Sequence, residues 1–180
     1  MQTEVKQPSL IFGYGSLLQE ESLKATVPSA KNIRPVYIKG FRRVFTLWDP
    51  VGWTETNLDL KDIPFCGVDA VPTSDKNATV NGVVFEVSAD ELPALLEREK
   101  EYDLIEVAAY DFSTDEPVGT CLVFSSGKET GAYDFDSEAQ KRYLDVCTEG
   151  AASFGEDFLQ QFLVTTYIND VSLKNIESLH

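Results

Sequence analysis

Leu10-Ile11-Phe12-Gly13-Tyr14-Gly15-Ser16-Leu17-Leu18 runs apolar as far as Phe12, breaks into Gly-Tyr-Gly-Ser, and turns apolar again. A strand that ends in two glycines and a serine gives up side-chain cover, so its backbone N–H groups can approach a ligand closely. Taken alone, the same pattern is a tight turn after an N-terminal strand. A second segment, Leu95-Leu96-Glu97-Arg98-Glu99-Lys100-Glu101-Tyr102, must be read with it.

Outward from the turn, residues 8–14 read as the strand that feeds it. Residues 34–47 are β-branched and aromatic with partial alternation, giving one long strand or two short ones. Asp49-Pro50-Val51-Gly52 marks a turn, and Pro64, Pro72 and the polar Thr73–Asn77 bound strands at 65–71 and 79–87. Ser88-Ala89-Asp90-Glu91 has the form of a capping box and predicts a helix to about Glu101. A strand pair follows at 104–112 and 117–125. From Asp136 the period becomes helical, with Tyr143, Val146, Cys147, Gly150 and Ala151 on one face. Gly155 interrupts it, and Phe158, Leu159, Phe162 and Leu163 mark a last helix. The fold class is therefore α+β, one domain over residues 1–180. It combines a mostly antiparallel, barrel-like sheet with one inserted helix and trailing helices.

The 180-residue chain is 43% apolar and carries a formal charge of −15, which fits a globular protein with a sizeable core. Such a charge makes nucleic acid and anionic membrane surfaces poor partners. It also means that an anionic substrate must be held by backbone N–H groups or a local basic pocket. No stretch has the roughly 20 apolar residues of a membrane span, and Met1–Gln7 lacks a signal-peptide apolar region. Cys66, Cys121 and Cys147 are odd in number and widely spaced, as expected of core residues in a cytoplasmic protein rather than a disulfide or zinc framework.

The only histidine is the terminal His180, which removes Ser-His-Asp and Cys-His catalysis and histidine metal sites together. Acid–base chemistry falls to a carboxylate, a tyrosine or a lysine. On the 88–101 helix, Leu92, Leu95 and Leu96 define the apolar stripe, and the next position along it is Glu99. Glu91, Glu97, Arg98, Lys100 and Glu101 fall largely on the solvated side. A carboxylate on that stripe either emerges through the last turn or stands in a partly dry pocket, where it suits a general base. Tyr143 reads by default as a core aromatic with its hydroxyl satisfied at the rim, and alternatively as a substrate contact. Arg42 and Arg43 are adjacent on a strand, so at most one faces a pocket, and both read equally well as solvated edge charges. Gly13-x-Gly15 lacks the third glycine and the βαβ pattern of a dinucleotide fold.

Phe12-Gly13-Tyr14-Gly15-Ser16-Leu17, Leu96–Tyr102 and Tyr143, in that order, resemble the γ-glutamylcyclotransferase-like superfamily. The resemblance implies a small α+β fold around a mixed barrel, with no cofactor and no metal. It implies that backbone groups of Ile11, Phe12, Gly13, Tyr14, Gly15 and Ser16 hold a small γ-glutamyl substrate, that Glu99 is the catalytic acid–base group, and that Tyr143 contacts substrate. The implied reaction releases 5-oxoproline and an amine, amino acid or dipeptide. The alternatives are a γ-glutamylamine cyclotransferase and a non-catalytic small-ligand-binding or regulatory protein of the same fold. The N-terminal turn resembles the glutathione-specific branch, whereas the Tyr143 helix resembles the γ-glutamyl amino acid branch. Trp48-Asp49-Pro50-Val51-Gly52-Trp53 replaces the His- and Gly-rich stretch of the former. Substrate identity and oligomeric state stay open.

Overall fold

The computed structural model describes residues 9–49, 65–100 and 102–179. The expectations for Met1–Gln7, for the turn beyond Asp49, for Glu101 and for His180 lie outside them. Along the chain, β1 (Ser9–Gly13) passes through a 3-10 turn at Ser16–Leu18 into α1 (Glu20–Thr26). Then come β2 (Lys31–Lys39), β3 (Phe41–Asp49), β4 (Phe65–Pro72) and β5 (Thr79–Val87). α2 (Leu92–Arg98) leads to the hairpin of β6 (Asp103–Asp111) and β7 (Pro117–Ser125). α3 (Glu138–Ala152), α4 (Glu156–Thr165), β8 (Thr166–Ile168) and β9 (Val171–Ser172) complete the order.

Five strands close into a barrel in the order β1-β5-β2-β6-β7. Every pairing is antiparallel except the closing one, where Ile11 of β1 meets Leu122 of β7 in parallel. Successive side chains along a strand point to opposite faces, so β1 serves two cores. Phe12 joins Val36, Ile38, Val84, Ala109 and Val123, a set drawn from all five strands that fills the barrel. Ile11 joins Phe85, Phe158, Phe162 and Tyr143 in a core covered by the helices.

The 34–47 run is two strands that belong to different sheets. Gly40, at φ +80, turns the corner between β2 and β3, a backbone conformation open to glycine. β3 therefore leaves the barrel and builds a second sheet ordered β4-β3-β8-β9. That sheet and α1 were not expected from the sequence. α1 has no side-chain cap, and β8 and β9 are three and two residues long.

The helix expected over 88–101 is confined to Leu92–Arg98. Ser88 Oγ accepts from the Glu91 amide at 3.2 Å, but the Glu91 carboxylate goes instead to the hydroxyl and amide of Ser29. Only half of the capping box forms, so Glu91 is tied down rather than solvated. Pro93 then sits in the first turn, where its missing N–H costs nothing.

Candidate active site

The turn leaving β1 is held from three sides. Beneath it, α3 packs so closely that a Cβ on Gly150 would lie 2.5 Å from the Leu18 carbonyl carbon and the Gln19 nitrogen. From β3, Arg43 Nη1 donates to the Tyr14 carbonyl at 3.1 Å. From β7, the Phe124 carbonyl accepts the Tyr14 hydroxyl at 2.7 Å. Gly15 is buried, and a Cβ there would stand 2.6 Å from Val68 Cγ2 and 3.1 Å from the Tyr143 hydroxyl. The residue is glycine because nothing larger fits.

Among the described residues, the amides of Gly15, Ser16 and Leu17 donate to no protein acceptor, while Leu18 and Gln19 close back onto the carbonyls of Gly15 and Ser16. Orphan donors at the start of a helical turn suit an acceptor from outside the chain. Ile11 and Phe12 sit in the β1 ladder with buried side chains, so their contribution to a ligand is limited to the backbone. Gly13 is the last paired residue, opposite Val83. Ser16 is half-buried at the opening of the 3-10 turn.

Tyr143 reaches this turn because α3 seals the free edge of β4. Gln140, fully buried, accepts from the Cys66 amide at 2.9 Å and donates to the Cys66 carbonyl at 2.8 Å. Two residues on, the Val68 amide donates to the Tyr143 hydroxyl at 3.1 Å. The sheet edge is thus paired by side chains one helical turn apart. The Tyr143 ring stacks on Phe65, with centroids 4.7 Å apart. Burial, then neighbouring Cys147, holds its phenol well above the usual tyrosine range.

Glu99 is the residue that ends α2 rather than a member of it. At φ −96, ψ 17 it occupies the C-cap, its amide donating to Leu95 and its carbonyl accepting from Tyr102. It is half-buried, and it stands close enough to Tyr14 to act on that side chain electrostatically. The Tyr14 phenol is held well above its ordinary range by burial first, then by Asp69, with Tyr102 and Glu99 adding to the effect. Tyr14 is thus the turn residue on which the charge of Glu99 acts.

Two site neighbours escaped the sequence reading, and a third had been left undecided between a pocket and a solvated edge. Asp69 is fully buried and accepts from the Ser126 and Gly127 amides, both at 3.0 Å, with Oδ1 3.5 Å from the Tyr14 hydroxyl. Burial pushes its carboxyl up against the opposing pull of those amides. Asn81 is the second, and Arg43 the third. Arg43 is fully buried, not an edge charge: Nε donates to Thr166 Oγ1, Nη1 to the Asn81 carbonyl, and Nη2 to Asn81 Oδ1 and Thr165 Oγ1. Arg42 points the other way, over the Tyr167 ring and beside Asp170. Strand alternation had separated the two arginines, but no local signal marked which one enters the interior.

All three cysteines are free and buried, and burial drives the Cys147 thiol up to about 12. Among the described residues, no group of three His, Cys, Asp or Glu is placed to hold a metal, and no helix is long and apolar enough to cross a membrane. A separate hollow of about 290 Å³, lined by Phe41, Arg42, Asp75 and Tyr167 among others, includes no residue of the glycine turn and neither Glu99 nor Tyr143.

No family model and no curated sequence matches the chain. Solved structures do. A γ-glutamyl cyclotransferase superposes with a TM-score of 0.61 at 20% identity, covering 96% of each chain. The chain has the γ-glutamylcyclotransferase-like fold. An uncharacterized protein from Homo sapiens matches it with a TM-score of 0.60 at 20% identity, over 97% of this chain and 96% of that one. A yeast γ-glutamyl cyclotransferase described as specific to glutathione gives 0.58 at 16% identity, over 89% and 96%. The resemblance read from three short motifs and the cyclotransferase-like architecture thus agree on the mixed barrel.

Proposed function

We propose that the protein is a cofactor-free γ-glutamylcyclotransferase that releases 5-oxoproline from a small γ-glutamyl compound. The observation that supports this reading is the run of unengaged amides at Gly15–Leu17 beside the Tyr143 hydroxyl, with Glu99 near enough to weigh electrostatically on Tyr14. Glu99 takes a proton from the substrate's α-amine, which attacks its own γ-carbonyl and closes a five-membered lactam. The carbon–nitrogen bond to the leaving amine then breaks, and the same carboxyl returns the proton to that amine. The turn amides hold the α-carboxylate or the developing oxyanion. Because nucleophile and electrophile belong to one molecule, holding the substrate bent supplies much of the acceleration.

The test is a panel of γ-glutamyl amino acids, γ-glutamylamines and glutathione, with 5-oxoproline as the readout. Turnover of any member supports the reading, and the preferred member names the branch. Binding without 5-oxoproline release from the whole panel would replace it with the non-catalytic alternative.

A further inference from the structure

Arg43 is a buried cation without a counter-ion. Among the described residues no carboxylate lies within salt-bridge distance of it. Its five N–H donors are instead taken by neutral oxygens of Tyr14, Asn81, Thr165 and Thr166, and its guanidinium lies 4.1 Å from the Phe162 ring centroid. Hydrogen bonds to neutral groups solvate the charge but do not cancel it, so its field persists in a low-dielectric surrounding. Burial brings it down to about 9, which leaves it charged at neutral pH. In a chain of formal charge −15, such an arrangement calls for a negative group nearby.

The Tyr14 carbonyl shows where that group belongs. The described chain has no cis peptide bond. In a trans peptide the C=O and the following N–H point in opposite directions. With the Tyr14 carbonyl fixed on Arg43, the Gly15 N–H is therefore aimed away from Arg43. Gly15 is buried, and among the described residues its amide meets no acceptor. A buried N–H is rarely left unpaired in a folded protein. A cation on the carbonyl end of a peptide also polarises the N–H at its other end.

We propose that Arg43 is a positioning residue for anion recognition: through the Tyr14–Gly15 peptide it aims and polarises the Gly15 N–H toward the α-carboxylate of the γ-glutamyl group. This deepens the cyclotransferase reading and rests on it for the identity of the anion. It also gives a strongly acidic protein a local means of holding an anionic substrate.

The experiment compares kcat/KM for the preferred member of the γ-glutamyl panel with that for its analogue whose glutamyl α-carboxylate is a carboxamide. In Arg43→Met the preference for the carboxylate falls about tenfold or more, whereas Arg43→Lys keeps most of it. Thr165→Asp leaves Arg43 in place but sets a carboxylate beside Nη2, and it lowers the same preference even if Arg43→Met does not fold. The Gly15 amide proton, observed by NMR in protein labelled with 15N-glycine, moves upfield in Arg43→Met and in Thr165→Asp but not in Arg43→Lys. Equal losses on both substrates together with an unmoved Gly15 amide would reduce Arg43 to scaffolding and overturn the proposal. A wild-type protein that turns over no member of the γ-glutamyl panel instead defeats the cyclotransferase reading, and the Gly15 amide shift then decides the role of Arg43 alone.

Discussion

The Val68 amide donates to the Tyr143 hydroxyl at 3.1 Å, and that hydroxyl stands 3.1 Å from where a Cβ on Gly15 would lie. Helix α3, the edge of β4 and the glycine turn therefore converge on one phenol. Tyr143→Phe strips the Val68 N–H of its acceptor, at a cost of about 1–3 kcal/mol. Thermal unfolding should report that loss, and KM for the proposed γ-glutamyl substrate should rise while turnover persists.

Gly15→Val is expected to abolish ligand binding. Even its Cβ would sit 2.6 Å from Val68 Cγ2, and the added methyls would invade the same space. Gly15 has φ −128, so no positive-φ strain accompanies the change and most of the core should survive. Calorimetric titration with the preferred substrate, alongside far-UV circular dichroism, would detect the opposite outcome of retained binding.

Glu99→Gln preserves size but cannot accept the amine proton. Turnover should fall by roughly 10²–10⁴-fold with folding and ligand affinity nearly unchanged. Glu97→Gln is the control, since Glu97 is exposed and forms a surface pair with Lys100 at 2.8 Å. A dead Glu97 variant beside an active Glu99 variant would move the chemistry to the other carboxylate.

The pair of Arg34 and Asp111 gives the fold a pH signature. Arg34 first, then the Thr114 and Ser113 amides, holds the Asp111 carboxyl down to about 2. A carboxyl lower in the folded than in the unfolded state stabilises above its unfolded value, about 3.9, and loses that effect as pH falls through its folded value. Asp111→Asn should therefore melt earlier than the parent at pH 7. The two melting curves should converge as the pH is taken down from about 4 to about 2.

The barrel strands were legible because each is a short apolar run bounded by Gly, Pro or polar turns. Tyr143 and its helical face were legible through a clean 3.6-residue period. What stayed hidden depends on partners remote in sequence. Arg43 is buried because Asn81, 38 residues away, and Thr165, 122 away, supply its oxygens, and no local window contains them. Glu99 was reached by extending a helical period beyond the helix, which ends at Arg98. Its half-buried place follows from the C-cap turn that returns the chain to Tyr102 rather than from the stripe. The second sheet was invisible because Gly40 redirects an otherwise continuous β pattern and because its last strands are too short to show alternation.

The closing pair of the barrel has a consequence for how the molecule comes apart. β1 meets β7 at one register position, Ile11 with Leu122, while β6 and β7 share eight. Among the described residues that seam has the fewest paired positions of the barrel's joints, and the strand on one side of it is the one that carries the glycine turn. Gentle heating should part it before the rest of the fold yields, so that amide exchange in β1 and loss of activity run ahead of the main cooperative transition. The molecule would then lose its candidate site while still almost wholly folded.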